Sequence, residues 1–207
     1  MDRKAFFLMA GAMAALALST QVPVQARAAQ KTAIFAGGCF WCMEKDFEHV
    51  DGVSEVVSGY TGGTLENPTY RNHDDHLEAV RIVYDDSKVS YGDLLRTFWR
   101  SVDPTDAGGQ FCDRGHSYTT AIFALDDEQM KLAKSSKAEV EASGKLPGPV
   151  VTPIVAASFF TDAEGYHQDY YKKNPVRYNY YRKACGRDAR IDALWGEEAH
   201  AGIRHGS

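Results

Sequence analysis

The 207-residue sequence shows no basic excess: 23 lysines and arginines stand against 28 aspartates and glutamates, a formal net charge of -5. A protein built to grip nucleic acid or another polyanion carries the opposite balance, so that class of partner is excluded. No low-complexity run and no internal repeat is present, which leaves one ordinary globular domain, large enough to bury a core without covalent staples. No apolar stretch reaches the length of a membrane span; the longest, residues 5–18, falls short. Cys39 and Cys42 have the spacing of zinc ligands, but no second tight cysteine pair and no His-x-x-x-His accompanies them, so no metal is expected.

Arg3 and Lys4 precede the apolar residues 5–18, and Ala26-Arg27-Ala28 fits a small-residue cleavage site. That order is the pattern of a secretory signal. The expectation is therefore a signal peptide over residues 1–28, a single domain over 29–207, and a periplasmic or secreted protein without a membrane anchor after cleavage. Removal of the signal leaves 20 basic residues against 27 acidic ones. All four cysteines, Cys39, Cys42, Cys112 and Cys185, remain in the exported chain. Parity in an oxidising compartment suggests structural disulfides, yet a domain of this size folds without them. The Cys-x-x-Cys spacing favours thiol chemistry instead.

Gly37-Gly38-Cys39-Phe40-Trp41-Cys42 lies between a short apolar run, residues 32–36, and a helical pattern. A thiol at a strand-to-helix junction sits beside unpaired helix N–H groups and the positive end of the helix dipole, both of which favour thiolate. The glycines allow a sharp turn and leave the sulfur open, and Phe40 and Trp41 follow as pocket walls. Cys39 is the candidate nucleophile. The plainer reading is a buried cysteine among core aromatics.

Residues 39–50 carry apolar side chains at helical spacing, and 53–60 and 77–84 read as strands separated by a turn-rich loop. Ser90 and Asp93 form a capping box for a helix that Asp103-Pro104 stops. The polar, glycine-rich loop 105–116 is too long to be a plain connection. A strand over 118–125, a helix capped by Asp126 and Gln129, a strand within 147–160, and a last helix opened by Thr161 and Glu164 and ended by Asn174-Pro175 complete the order. The tail 176–207 is tyrosine-rich with little period. These elements predict an α+β two-layer sandwich with a mixed sheet: a ferredoxin-like βαββαβ core followed by an irregular C-terminal tail.

Other segments gather chemistry around the thiol. Asn67-Pro68-Thr69-Tyr70 puts a tyrosine in a tight turn, and alternation places Glu78 on the same strand face as Val80 and Ile82, where burial keeps a carboxyl protonated. Asp113, Arg114, His116 and Tyr118 bring an acid, two basic groups and a second phenol to a loop–strand junction. Taken singly, the tyrosines read equally well as packing residues, Asp113 and Arg114 as a solvated pair, and Glu78 as facing water.

Gly38-Cys39-Phe40-Trp41, Gly59-Tyr60-Thr61-Gly62-Gly63, Asn67-Pro68-Thr69-Tyr70, His76-x-Glu78-Ala79-Val80, Asp113-Arg114-Gly115-x-x-Tyr118 and Tyr166-His167-Gln168-x-Tyr170 together resemble the peptide methionine sulfoxide reductase A family, from about residue 34 to 175. The resemblance implies reduction of the S epimer of methionine sulfoxide, free or in proteins. In it Cys39 attacks sulfur, Glu78 is the acid, Tyr70 and Tyr118 donate to the oxygen, Phe40 and Trp41 hold the substrate methyl, and Asp113 lines the pocket. It further implies no cofactor, reducing equivalents from thioredoxin or a thioredoxin-like protein, and a monomer. The Cys39 sulfenic acid must then be resolved by a second thiol. Resolving cysteines of related enzymes come from the C-terminal region, which makes Cys185 the expected partner, as a Cys39–Cys185 bridge, with Cys42 and Cys112 as alternatives. Two departures stand out: Cys42 occupies a position often glycine in the family, and the family's Gly-rich cysteine tail is replaced by Arg182-Lys183-Ala184-Cys185-Gly186-Arg187. A thioredoxin-like oxidoreductase using Cys39 and Cys42, with Thr152-Pro153 as its proline loop, is the alternative, but it gives Glu78, Tyr70 and Tyr118 no task. An exported binding domain stapled by two disulfides leaves the acid unexplained.

Overall fold

The structure, a computed structural model, describes residues 30–204, so the expected signal segment 1–28 lies outside the described residues. Strand β1 (Gln30–Gly37) sits at the centre of a six-stranded sheet, flanked by β3 (Leu77–Asp85) and β6 (Thr120–Ala124), both antiparallel to it. Outside β3 lie β2 (Val53–Thr61) and β8 (Phe160–Asp162); outside β6 lies β7 (Ile154–Ala156), the one parallel neighbour. The two-residue strands β4 (Gly109–Gln110) and β5 (Asp113–Arg114) pair with each other outside this sheet, which is therefore mixed, and the fold is α+β.

Alternation along the strands sorts the core. Ala33 and Phe35 of β1, with Val80, Ile82 and Tyr84 of β3, join the large cluster packed under the helices, whereas Ile34, Ala36, Leu77 and Ala79 form a smaller cluster on the opposite face. Helices α1 (Phe40–Glu48), α2 (Tyr91–Trp99) and α3 (Asp127–Ala142) supply the other half of the large cluster. Phe35 lies 5.1 Å from Phe98 and 5.5 Å from Phe47, ring centroid to ring centroid. Each fully buried ring of this kind is worth about 1.5–3 kcal/mol. The caps read from the sequence are present: Ser90 and Asp93 exchange hydrogen bonds at α2, and the Asp126 carboxylate accepts from the Gln129 N–H at α3.

The second half departs from expectation in four places. The segment 147–160 holds no long strand; β7 and β8 are three residues each. Thr161 belongs to β8 instead of opening a helix, because Glu164 is engaged elsewhere, accepting from the Tyr70 N–H at 3.0 Å and the Tyr60 hydroxyl at 2.9 Å. Helix α4 (Tyr170–Lys173) is correspondingly short; it ends at Asn174 as expected, but Pro175 also starts a further helix, α5 (Pro175–Ala184), where its missing N–H costs nothing. The tail is not irregular: α5 is followed by α6 (Arg187–Trp195).

Buried arginines make those last helices part of the core. Arg182 is 2.8 Å from Asp46 of α1 and 2.7 Å from Asp188. Arg187 donates to the carbonyls of Gly37 and Ser101 at 3.1 and 2.8 Å and lies over the Phe111 ring. Among the described residues no helix is long and apolar enough to cross a membrane.

Candidate active site

Where β1 ends, Gly38 has φ +80, and a Cβ there would stand 2.6 Å from Cβ of the fully buried Gln110. Gly38→Ala is therefore expected to cost about 1–3 kcal/mol through left-handed strain alone. A urea melt unshifted from the native one would show that the turn tolerates a side chain.

The turn delivers Cys39 to the N-cap of α1. The freed helix N–H next to it does not point at the sulfur: the Phe40 N–H donates to Oε2 of Glu78 at 3.0 Å. The helix terminus thus holds the acid against the nucleophile. Burial governs the thiol, pushing Cys39 well above its ordinary pKa, with Cys42 and Glu78 adding to the rise and the Tyr181 hydroxyl opposing it. The thiolate-favouring effect expected at this junction is outweighed by desolvation.

Glu78 is 2 % exposed. It faces the helices, as alternation requires, and sits opposite Tyr60 in the β2–β3 register. Burial raises its pKa to about 8, against the opposing hydrogen bond from Phe40, with Asp113 and Cys42 contributing further. At neutral pH it is mostly the protonated acid. Tyr70 and Tyr118 are held neutral, first by burial and then by Glu78.

These groups line one small cavity of about 70 Å³ with Cys39, Phe40, Trp41, Asp113 and Tyr181. Its volume suits the end of a side chain better than a whole residue. A larger cleft, about 560 Å³, runs past Lys45, Asp46, His49, Arg182 and Asp188, but it holds paired charges and no thiol. Trp41 is fixed on three sides: its Nε1–H donates to His167 Nδ1 at 3.1 Å, its ring stacks on Tyr170 at 3.7 Å, and Tyr181 meets it edge-on at 6.0 Å. Phe40 packs on His167 at 5.0 Å. The cavity lining therefore combines apolar rings, an acid, two phenols and a thiol. That arrangement can protonate an oxygen while a sulfur nucleophile attacks the atom bearing it.

Comparison with known proteins shows the family. The family model described as "Peptide methionine sulfoxide reductase" matches residues 31–199. The chain belongs to the peptide methionine sulfoxide reductase family. It is 52 % identical over 183 residues to "Peptide methionine sulfoxide reductase MsrA 2" of Rhizobium meliloti, covering 87 % of this chain and 91 % of that one. To the Bacillus subtilis reductase MsrA it is 50 % identical over 171 residues, covering 81 % and 97 %. Among solved structures, methionine sulfoxide reductase A of Corynebacterium diphtheriae superposes with TM-score 0.64 at 29 % identity, covering 73 % of this chain and 78 % of that one. Reduced Mxr1 of Saccharomyces cerevisiae gives 0.66 at 28 %, covering 70 % and 86 %. The protein is accordingly an oxidoreductase that reduces methionine sulfoxide.

In this reductase the cysteines fall into two pairs. Cys39 and Cys42 are free and buried, while Cys112 and Cys185 are joined in a disulfide. Cys185 is therefore bonded to Cys112 and not to Cys39, and it caps α5 instead of lying in a loose tail. Its sulfur is 3.9 Å from Oδ2 of Asp113, which lines the cavity. The Thr152-Pro153 pair of the thioredoxin-like alternative leads into β7, where the Pro153 carbonyl accepts from the Ile122 N–H at 3.0 Å, and neither residue lines the cavity.

Two site residues carried no role in the sequence reading. Tyr181, on α5, donates its hydroxyl to Asp113 and lines the cavity. Tyr178, Tyr181, Arg182 and Cys185 recur at helical spacing, a signal that the tyrosine-rich composition of the tail obscured. His167, in a quoted motif without a function, is the acceptor that orients Trp41, and burial holds its pKa down.

Proposed function

We propose that this reductase acts on the S epimer of methionine sulfoxide, free or in exported proteins. The observation that carries the mechanism is the protonated, buried Glu78 sharing one small cavity with Cys39, Tyr70 and Tyr118. The substrate methyl rests against Phe40 and Trp41, and the sulfoxide oxygen lies toward Glu78 and the two phenols. Cys39 attacks sulfur as Glu78 delivers its proton to the oxygen; oxygen passes to Cys39, leaving methionine and a Cys39 sulfenic acid. Asp113, held by Tyr181, shapes the remaining wall.

Recycling runs through Cys185 and its exposed partner Cys112, where a thioredoxin-like dithiol has access, and no cofactor takes part. The chain works as a monomer after export to a periplasm-like space, its signal removed near Ala28. Strand order β6-β1-β3-β2, all antiparallel, supports reading the βαββαβ portion as ferredoxin-like. With dithiothreitol as reductant, the protein is expected to form methionine from the S epimer and not from the R epimer, since the two epimers need different enzymes. Equal turnover of both would overturn the assignment of epimer.

A further inference from the structure

His73 is a buried titratable residue that the mechanism above does not use. It follows Tyr70 by three positions in the loop between β2 and β3, and it is not part of the lining of the small cavity. Instead it borders an adjoining groove of about 450 Å³ that shares Tyr70 and Tyr118 with that cavity.

The surroundings assign its two ring nitrogens. Nδ1 is 3.2 Å from the Thr69 carbonyl and 3.0 Å from the Tyr70 carbonyl; both oxygens can only accept, so Nδ1 carries a hydrogen. In the neutral ring Nε2 is then a bare acceptor. Facing it, 4.0 Å away, is Oε1 of Glu78. The other carboxyl oxygen, Oε2, already accepts the Phe40 N–H, so the acid's own proton belongs on Oε1. Donor and acceptor are about 1 Å beyond hydrogen-bond length, a gap of the size that catalytic groups close on tightening. The ring packs on Tyr60 and Tyr70 at 4.8 and 5.5 Å, and the His73 carbonyl accepts from the His76 N–H at 2.7 Å, so the side chain is held in place.

We propose that His73 is a positioning residue acting through both nitrogens: Nδ1–H pins the turn that carries Tyr70, and Nε2 accepts from the Glu78 carboxyl in the free enzyme, keeping its proton on Oε1 until the sulfoxide oxygen takes it over. The proposal rests on the reading of Glu78 as the acid. No proton passes to His73; it goes from Glu78 to the oxygen, as above. The other titratable groups facing Glu78 are Cys39 and Cys42 on α1, Tyr60 on β2, Tyr70, Asp113 and Tyr118. Around His73 they are His167 and, along the groove, Asp74, Arg114 and His116. A substitution at position 73 leaves all of these groups in the chain, so the variants compared below share them.

Two substitutions separate the nitrogens. Asparagine keeps a donor where Nδ1 stands and loses Nε2; glutamine puts an acceptor oxygen where Nε2 stands and loses the donor. The measurement is the pH profile of first-turnover methionine formation from S-epimer methionine sulfoxide well below saturation, where the falling limb reports the free enzyme. In the native protein that limb begins at about 8. His73→Asn should move it down by about one pH unit, the worth of one ordinary hydrogen bond to the neutral acid, while the rate at pH 6 stays close to native. His73→Gln should keep the native limb and lose about tenfold in rate at every pH, as the Tyr70 turn loosens. A native limb in His73→Asn would overturn the proposal, and so would a limb displaced as far in His73→Gln as in His73→Asn, since the ring would then only fill space. Native rates in His73→Gln would overturn the part assigned to Nδ1. If the asparagine variant does not fold, the limb in His73→Gln decides alone. Glu78→Gln measured alongside distinguishes the two failures: a falling limb that persists there defeats the acid reading itself, whereas its absence leaves that reading standing whatever the His73 variants show.

Discussion

Glu78→Gln is expected to lower the first-turnover rate of methionine formation by about 10²–10⁴, the usual worth of a positioned acid. The amide retains the shape of the side chain and can still accept the Phe40 N–H that anchors Glu78 at 3.0 Å, so the site stays assembled while the transferable proton is lost. Tyr70→Phe and Tyr118→Phe should each cost less than the pair together, because either phenol can still donate to the oxygen when the other is gone. Stability should move the opposite way. The Glu78 pKa is raised from 4.5 to about 8 in the fold, so its stabilising contribution is complete below 4.5 and is lost as pH rises through about 8. Above pH 8 the native protein must carry a buried carboxylate that the variant lacks. Denaturation midpoints at pH 9 should therefore favour Glu78→Gln; a native protein equally stable at pH 7 and pH 9 would contradict the buried, neutral state of the acid.

Cys39→Ser should abolish turnover, leaving methionine formation at the uncatalysed background. A hydroxyl in this position cannot become the anion at working pH, and no other free cysteine among the described residues lines the cavity. Cys42 is buried behind Cys39 with Tyr170 and Tyr178 and is not part of the cavity wall. Residual dithiothreitol-dependent reduction in Cys39→Ser would move the nucleophile to Cys42 and undo the assignment.

The first half of the fold was legible because its signals are local. Period-two alternation in β3 placed Glu78 with Val80 and Ile82 on the helix-covered face, and the caps at Ser90 and Asp126 marked two helix starts. The C-terminal third was not legible, since its order comes from ion pairs distant in sequence. Arg182 is fixed by Asp46, 136 residues away, and no periodicity in the tail announces that contact. Glu164 was misread for the same reason: as a helix start it is a local signal, but its oxygens are committed to Tyr60 and Tyr70. At the site, the thiol motif and the family resemblance together pointed to Cys39, Glu78, Tyr70, Tyr118, Phe40, Trp41 and Asp113, and the cavity brings all seven together. The electrostatic sign at Cys39 could not be read from the sequence, because it is set first by burial, which comes from packing distant in sequence, while the neighbouring helix N–H is taken by Glu78.

The pH dependence of the first-turnover rate tests the central claim, that a neutral Glu78 supplies the proton to the sulfoxide oxygen. Native enzyme should lose rate about tenfold per pH unit above about 8, where Glu78 ionises. Glu78→Gln should lack that falling limb. A falling limb of the same position and slope in the Glu78→Gln variant would assign that proton to another group and contradict the account.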